Sequence, residues 1–279
     1  MSGPGGDAAG AAGPLDHLDP AELDPRGLSL GIEGTWNARD AATLTGLRPG
    51  VLLRTAALVG LTETGRDRLV ELGVTDVVDL RSDLEAENQG GDAVPPGVTV
   101  HRLPITPGGA LAGQIAGRGS DPAAMARFVE LVQRPGFAHD LMAEVYREIV
   151  TAPDAVAQLG RALTVLARAE GGVVVHCSAG KDRTGVLVAL AALLAGADTA
   201  AVEADFAYST HAAAAQRAVV PAVPGIDPEL LAPIFGVDVD SLRGALADVI
   251  ERHGDLVAFA RDAGLEADDL ERLRSRLAP

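Results

Sequence analysis

The sequence predicts an α/β fold in which a central, mostly parallel sheet is flanked by helices. Short β-branched runs alternate with segments of helical periodicity, the pattern of a layered α/β protein. The composition agrees: 47% of the residues are hydrophobic but only 3% are aromatic, so the core must be largely aliphatic. With 279 residues the chain is long enough for one substantial core, and we expect one main domain.

Four apolar runs bounded by Gly, Pro or Asp predict the strands, at residues 51–53, 74–80, 98–103 and 173–176. Between them, Thr62 can cap a helix that ends at Gly73, and Pro153 opens a periodic run that ends at Gly171. The charged stretch after Arg81 is interpreted as a loop. Beyond Gly185 the pattern is almost wholly helical, so the C-terminal half is predicted to be helical.

Three segments lack the periodicity of a folded core. Residues 1–27 are rich in Gly, Ala, Pro and Asp and are predicted to be a disordered tail, which leaves 28–279 as the folded domain. Residues 107–122 are interpreted as a long surface loop. The break at residues 220–228 is interpreted either as a simple helix connection or as the joint of a mobile helical pair.

Charge and cysteine content exclude several classes of function. The formal net charge of -16 excludes long-range attraction to nucleic acid or to anionic membranes. A single cysteine excludes an internal disulfide and a cysteine-cluster metal site, and it favours a reducing compartment. No apolar run reaches the roughly 20 residues of a membrane span, and no signal-peptide pattern opens the chain. We therefore expect a cytoplasmic protein without integral membrane association, with secretion by a signal-independent route left open.

The chemistry is indicated by Val173–Gly185, with the sequence VVVHCSAGKDRTG. An apolar strand stops at Cys177, and a glycine-containing loop leads into an aliphatic helix that begins near Arg183. Loop N–H groups and the positive end of that helix can converge on one anion. The same field favours the thiolate form of Cys177 and a bound phosphoryl group.

The spacing within this segment suits phosphoryl transfer. Five residues separate Cys177 from Arg183, so the loop can curl around a tetrahedral group and bring a planar guanidinium fork onto two of its oxygens. Attack by sulfur would give a cysteinyl-phosphate that water then hydrolyses. The other predicted substrate-binding residues are Ser178, Ala179, Gly180, Lys181 and Thr184. The alternative is a strand-to-helix turn with a buried, inert cysteine.

HCSAGKDRTG resembles the signature loop of the cysteine-dependent protein tyrosine phosphatases. Together with EGTWNARD (33–40), LLRTAAL (52–58), LGVTDVVDLRSDLEAE (72–87) and FARDAGLEADDLERLR (259–274), the chain resembles the bacterial tyrosine and dual-specificity phosphatases, including the mycobacterial ones. The resemblance covers nearly everything after the tail. It implies a tyrosine-phosphatase-like fold, with residues 28–279 as the phosphatase domain.

The resemblance also implies the catalytic roles. Cys177 is expected to be the nucleophile, Arg183 the phosphate ligand and Asp182 the general acid, with a helix-start residue as the alternative for Asp182. Lys181 accompanies activity toward phosphoinositides in this family, and a solvated lysine is its alternative. His176 is expected to hold the loop rather than to transfer protons.

Further family positions lie outside the loop. Asp79, Arg81 and Glu85 are expected to support the loop, while Asp83 is either a second candidate for the general acid or a solvated residue. In relatives, the helices that follow the helix after the signature loop can form a lid over the active site. Residues 205–253 are the candidate for such a lid here, and ordinary helical packing is the alternative. Asn37, Arg39 and Asp40 resemble a family motif to which no role is assigned.

The predicted function is hydrolysis of phosphotyrosine through a cysteinyl-phosphate intermediate. Phosphoserine, phosphothreonine and phosphoinositides are further candidate substrates, so the expected partner is a phosphoprotein or a phosphoinositide and not a nucleic acid. Neither a metal nor an organic cofactor is expected. The alternatives are a catalytically inactive phosphopeptide- or phosphoinositide-binding module, and a sulfur or arsenate enzyme with a similar loop. Cys177, Asp182 and Arg183 together count against the first, and the lack of other thiols against arsenate reduction.

Overall fold

Five strands form one sheet in the order β1-β2-β5-β3-β4. The computed structural model describes residues 19, 23–107, 122–219 and 226–279. Only β1 is antiparallel to its neighbour, β2, and the other pairs are parallel, so the predicted mostly parallel sheet is confirmed. The strands are β1 (Arg39–Asp40), β2 (Leu52–Thr55), β3 (Val74–Asp79), β4 (Thr99–Arg102) and β5 (Gly172–His176).

Helices surround this sheet and make up most of the C-terminal half. In the part of the chain that the structure describes, two short 3-10 turns, Ser209–His211 and Pro228–Leu231, interrupt them. None of the described helices combines the length and the apolar character that a membrane crossing requires. The α-helices are α1 (Ala42–Thr45), α2 (Glu63–Glu71), α3 (Asp83–Gln89), α4 (Pro122–Val132), α5 (Phe137–Thr151), α6 (Pro153–Arg168), α7 (Asp182–Leu194), α8 (Thr199–Tyr208), α9 (Ala212–Val219), α10 (Ala232–Phe235), α11 (Val239–His253), α12 (Leu256–Asp262) and α13 (Ala267–Leu277).

The register of the sheet fixes the place of the candidate loop. His176, the last residue of β5, pairs with Thr55 at the end of β2 and with Asp79 at the end of β3. The carboxyl ends of the three parallel strands therefore meet at one edge of the sheet, where α/β proteins bind their ligands. The segments that follow β2 and β3 flank the loop that follows β5.

The core lies on both faces of the sheet because every residue of β5 is buried. Val173 and Val175 pack toward the larger cluster formed with the helices, and Val174 packs with Leu53 and Val77 on the opposite face. Residues 184–192 of α7 are all buried as well. A helix that is apolar all round is a core helix, so the element that follows the loop is a rigid base for it.

The four predicted strands and the helices predicted after Thr62 and at Pro153 are confirmed. Thr62 accepts a hydrogen bond from the amide of Gly65 at the start of α2, Gly73 has a φ of 67°, and Pro153 is the first residue of α6. The predicted charged loop after Arg81 is wrong, because α3 forms there behind a capping box made by Ser82 and Glu85. Strand β1 and helices α1, α4 and α5 were not predicted.

Three sequence interpretations fall partly outside the described residues. Residues 108–121 of the long loop, 220–225 of the helix break and 1–18 and 20–22 of the tail all lie outside them. At the described end of the tail, the Asp24 carboxylate accepts hydrogen bonds from the amides of Leu28 and Ser29 and from the hydroxyl of Tyr208. Residues just before position 28 thus contact the folded body.

Candidate active site

Residues Cys177–Lys181 form the loop between β5 and α7. Cys177 is only 1% exposed. The amide of Ala57 donates to the carbonyl oxygen of Ser178, which ties the loop to the end of β2. Gly180 has a φ of 67°, and a Cβ there would lie 2.1 Å from the carbonyl oxygen of Thr55. Only glycine can bring the loop this close to β2.

Arg183, in the first turn of α7, is held by a two-pronged ion pair with Glu85. Its Nη1 donates to Oε2 at 2.5 Å and its Nη2 to Oε1 at 2.7 Å. Nη1 also donates to the carbonyl oxygens of Leu80 and Ile105. Burial lowers the pKa of Arg183, but the charge of Glu85 outweighs it and raises that pKa overall. No described residue accepts a hydrogen bond from Arg183 Nε, so this edge of the guanidinium is left for an anion.

Glu85 is fixed by its own helix and in turn holds Ser178. Its Oε2 accepts from the amide of Ser82, and the Ser82 hydroxyl accepts from the amide of Glu85. Ser178 Oγ donates to Glu85 Oε1 at 2.7 Å and accepts from Gln89 Nε2. Burial raises the pKa of Glu85, but Arg183 outweighs it and holds that pKa far below its usual range. Glu85 therefore stays ionised beside the loop.

A second ion-pair cluster lies behind His176. Arg81 bridges Asp79 and Asp92, and His176 Nε2 lies 2.9 Å from Asp92 Oδ2. His176 Nδ1 lies 3.1 Å from the carbonyl oxygen of Cys177. Asp79, Asp92 and His176 could offer metal ligands within 4.8 Å of one another, but the arginine between the carboxylates makes the position unfavourable for a cation. Asp92 was missed in the sequence, where no local pattern marks it.

Asp182 begins α7 and faces two other polar groups. Tyr146, a buried residue of α5, donates its hydroxyl to Asp182 Oδ1 at 2.6 Å. Burial and the nearby Asp182 charge raise the pKa of Tyr146 well above its usual value, so Tyr146 remains a donor. Lys181 Nζ lies 3.3 Å from Asp182 Oδ2. Tyr146 was missed in the sequence analysis, because α5 itself was not predicted.

Lys181 is buried, so the alternative interpretation of this residue as a solvated lysine is wrong. The residue is 1% exposed, and Nζ donates to the carbonyl oxygens of Ile234 and Gly236. The other candidate acid, Asp83, differs from Asp182 in that its side chain is 79% exposed and pairs with Arg102. Thr184 is fully buried, and its hydroxyl has no hydrogen-bond partner among the described residues.

The candidate lid region divides into two parts. Helix α11 buries Leu242, Ala245 and Val249 in the main core, which is ordinary helical packing. The segment around α10 instead provides the carbonyl groups that hold Lys181. It packs in a separate cluster with α4 and α9, whose buried members are Phe128, Val132, Ala213, Ile226, Leu231 and Phe235. This second part contacts the loop through the Lys181 ammonium.

The back of the loop contacts residues to which the sequence assigned no role. Asn37 and Arg54 donate to loop carbonyl oxygens, and Arg39 and Arg54 share the carboxylate of Asp205. Asp40 lies apart from them and accepts from the amides of Ala42 and Gly50.

Comparison with known proteins gives concordant matches. A family model described as "Tyrosine phosphatase family" matches residues 30–279. The chain is similar to "Triple specificity protein phosphatase PtpB" of Mycobacterium tuberculosis (strain ATCC 25618 / H37Rv), with 34% identity over 278 residues that cover 88% of this chain and 98% of that protein. It is also similar to a "Tyrosine-protein phosphatase" of Nostoc commune, with 26% identity over 215 residues, 73% of this chain and 63% of that protein.

Proposed function

Because this chain belongs to the tyrosine phosphatase family, we propose that its phosphatase reaction proceeds through Cys177, Asp182 and Arg183. The protein is a protein tyrosine phosphatase, a hydrolase of phosphoric monoesters whose substrates are phosphoproteins. The observation that supports the assignment is the placement of Cys177 at the end of the central strand, with Arg183 held in the first turn of the next helix.

In the first step the Cys177 sulfur attacks phosphorus and the bond to the tyrosine oxygen breaks. Asp182 gives its proton to the leaving oxygen. The loop N–H groups and Arg183 stabilise the charge on the three equatorial oxygens. In the second step Asp182 takes a proton from water, the water oxygen bonds to phosphorus and the S–P bond breaks. Inorganic phosphate and the free sulfur are the products.

The supporting residues act through these three. Glu85 holds Arg183 and Ser178, while Asp79 and Arg81 form the cluster that meets His176 behind Cys177. Ser178, Ala179, Gly180, Lys181 and Thr184 contribute backbone N–H groups toward the phosphoryl oxygens. Asp83 is not required in this scheme, because it pairs with Arg102 on the surface. Residues 28–279 are the proposed phosphatase domain.

Turnover of p-nitrophenyl phosphate tests the nucleophile. We expect Cys177→Ser to abolish turnover and the wild-type enzyme to keep its activity in EDTA. An active Cys177→Ser protein would refute the scheme. No observation favours the inactive binding module, which predicts that wild-type and Cys177→Ser proteins bind phosphopeptide equally and that neither turns it over.

The general acid is tested by the leaving group. Asp182→Asn should slow alkyl phosphates far more than p-nitrophenyl phosphate, whose leaving group scarcely needs a proton. Asp83→Asn, made alongside, should change neither rate. Equal slowing of both substrates by Asp182→Asn would reject Asp182 as the acid.

We propose phosphoserine, phosphothreonine and phosphoinositides as further substrates of the same site. The similar M. tuberculosis protein carries the name of a triple specificity phosphatase. In this chain the Lys181 ammonium is bound to Ile234 and Gly236, so it reaches a second phosphate only when that segment moves. Initial rates over phosphotyrosine peptide, phosphothreonine peptide and phosphatidylinositol phosphates test this range, and turnover of phosphotyrosine peptide alone would refute it.

A further inference from the structure

The phosphate-binding loop is anchored by its carbonyl groups. Arg54 Nη2 donates to the carbonyl oxygen of Gly180 at 2.8 Å and to that of Lys181 at 3.3 Å. Asn37 Nδ2 donates to the carbonyl oxygens of Ala179 and Gly180 at 3.2 and 2.9 Å. In a planar trans peptide the C=O and N–H groups point in opposite directions. Hydrogen bonds from Arg54 and Asn37 to these carbonyl oxygens therefore direct the N–H groups of the same peptide units away from Arg54 and Asn37.

Arg54 is itself held by a carboxylate from a distant helix. Its Nη1 donates to Asp205 Oδ2 at 2.5 Å, and its Nη2 also donates to Ser209 Oγ at 3.0 Å. Arg39 Nε donates to the other oxygen, Asp205 Oδ1, at 2.8 Å. Arg39 Nη1 donates to Asn37 Oδ1 at 2.6 Å, so one hydrogen-bond network joins β1, β2 and α8 to the loop.

This network also carries charge where water cannot screen it. Arg39, Arg54 and Asp205 are each at most 1% exposed, and two cations with one carboxylate leave one positive charge in excess. Burial raises the pKa of Asp205, but Arg54 and Arg39 outweigh it and lower that pKa. Burial, together with the charge of Arg54, lowers the pKa of Arg39 to about 10, so the excess charge persists at neutral pH. A buried charge acts more strongly than an exposed one.

Two features of this network lower the stability of the fold. Arg54 Nε is buried without a hydrogen-bond partner among the described residues, and an unpaired buried donor costs stability. Asn37 is the one non-glycine residue with positive φ in the described ranges, at 57°. Features that cost stability concentrate at functional sites.

We propose that Arg54 is a positioning residue of the phosphatase reaction, which orients the loop N–H groups and places an unscreened positive charge behind them. Arg39 and Asp205 hold Arg54 in place, and Asn37 shares its carbonyl contacts. This inference rests on the proposed role of Cys177. Arg54 touches neither substrate nor sulfur in this scheme, and its effect passes through the loop.

The test uses Arg54→Gln and, as a matched control, Arg272→Gln on the exposed face of α13. Two readouts do not require turnover: the dissociation constant of inorganic phosphate, and the pH midpoint for alkylation of Cys177, the sole thiol, by iodoacetamide. We expect Arg54→Gln to weaken phosphate binding at least about tenfold and to raise the alkylation midpoint by about one pH unit. Arg272→Gln should change neither. A folded Arg54→Gln protein with wild-type values for both would overturn the proposal.

Two further variants separate orientation from charge and cover failure to fold. Asn37→Gly removes two carbonyl contacts and the contact to Arg39 Nη1 without altering charge, so it should weaken phosphate binding and raise the alkylation midpoint less than Arg54→Gln does. Arg54→Lys keeps the charge but loses the fork, so it should also weaken phosphate binding. If Arg54→Gln does not fold, wild-type phosphate affinity in Arg54→Lys overturns the proposal. Failure of the catalytic scheme looks different, because Cys177→Ser would then keep turning over p-nitrophenyl phosphate.

Discussion

Replacing Glu85 by glutamine is expected to misplace the guanidinium group of Arg183, although Arg183 itself is unchanged. The wild-type carboxylate accepts from both Nη1 and Nη2 of Arg183. Glutamine has one acceptor oxygen and one NH2 donor, so one of the two guanidinium contacts becomes donor against donor. Nη1 keeps the carbonyl oxygens of Leu80 and Ile105, at 3.3 and 3.2 Å. Besides Glu85, Nη2 has no partner among the described residues, so the fork can pivot about Nη1 once the glutamine NH2 faces Nη2.

The size of the effect follows from these contacts. Misplacement of a positioning group by about 1 Å costs on the order of 10²-fold in rate, and we expect a loss of that size in kcat/KM. The lost charge-assisted hydrogen bond should lower the free energy of unfolding by about 1–3 kcal/mol. Both losses are expected because the Arg183 charge stays in a mostly buried position, with its side chain only 12% exposed, while its partner becomes neutral.

The assay compares Glu85→Gln with Glu87→Gln, an exposed position on the same helix. Each variant is measured for kcat/KM with p-nitrophenyl phosphate, for inorganic phosphate affinity and for unfolding in urea. Glu87→Gln should match the wild type in all three. A Glu85→Gln protein with unchanged kcat/KM would refute the idea that the ion pair positions Arg183.

The stability difference should also depend on pH. The folded-state pKa of Glu85 is depressed, because Arg183 outweighs burial. A group with a depressed pKa contributes stability above its unfolded-state pKa, near 4.3, and loses that contribution as pH falls toward the folded value. The gap in unfolding free energy between wild type and Glu85→Gln should be constant at neutral pH and shrink below about pH 4.3. A gap that widens on acidification would contradict this sign.

Three further variants test other parts of the site. Tyr146→Phe removes the hydroxyl that holds Asp182, so it should slow turnover of alkyl phosphates about tenfold and turnover of p-nitrophenyl phosphate less. An equal effect on both substrates would argue against a role of Tyr146 in positioning Asp182. Gly180→Ala places a Cβ 2.1 Å from the Thr55 carbonyl oxygen and should abolish phosphate binding. The control is Gly73→Ala, because Gly73 has the same φ but open space around it. This control should lower the free energy of unfolding by only about 1 kcal/mol and keep activity. Lys181→Met removes two contacts to the α10 segment, so amide exchange in residues 228–236 should rise at least about tenfold; unchanged exchange there would show that Lys181 does not hold the segment.

The sheet and the loop could be predicted because their signals are local. A β-branched run at residues 173–175 predicts a buried strand, and the strand, cysteine, glycine loop and helix follow within thirteen residues of sequence. Helix α3 was missed because its sequence is rich in charged residues, which is typical of a solvated loop. The capping pattern of Ser82 and Glu85 was nevertheless present in the sequence.

The remaining site residues could not be predicted because their partners are distant in sequence. Arg54 meets Asp205 across 151 positions, and Arg183 meets Glu85 across 98. Long-range pairs of this kind leave no period and no spacing in a single sequence. Strand β1 is only two residues long, too short for an alternating pattern, and it is the strand that positions Arg39.

The ion pairs around the loop distinguish the proposed general acid from the other carboxylates. Glu85 is held by one guanidinium group, and Asp205 and Asp79 are each held by two. A carboxylate with such a partner is poorly suited to carry a proton, because protonation forfeits the ion pair. Among the described contacts of Asp182 there is no guanidinium group, only the neutral Tyr146 hydroxyl and a lysine ammonium shared with two carbonyl oxygens. Asp182 is therefore the carboxyl group beside the loop that can exchange a proton without breaking an arginine pair, as the two catalytic steps require.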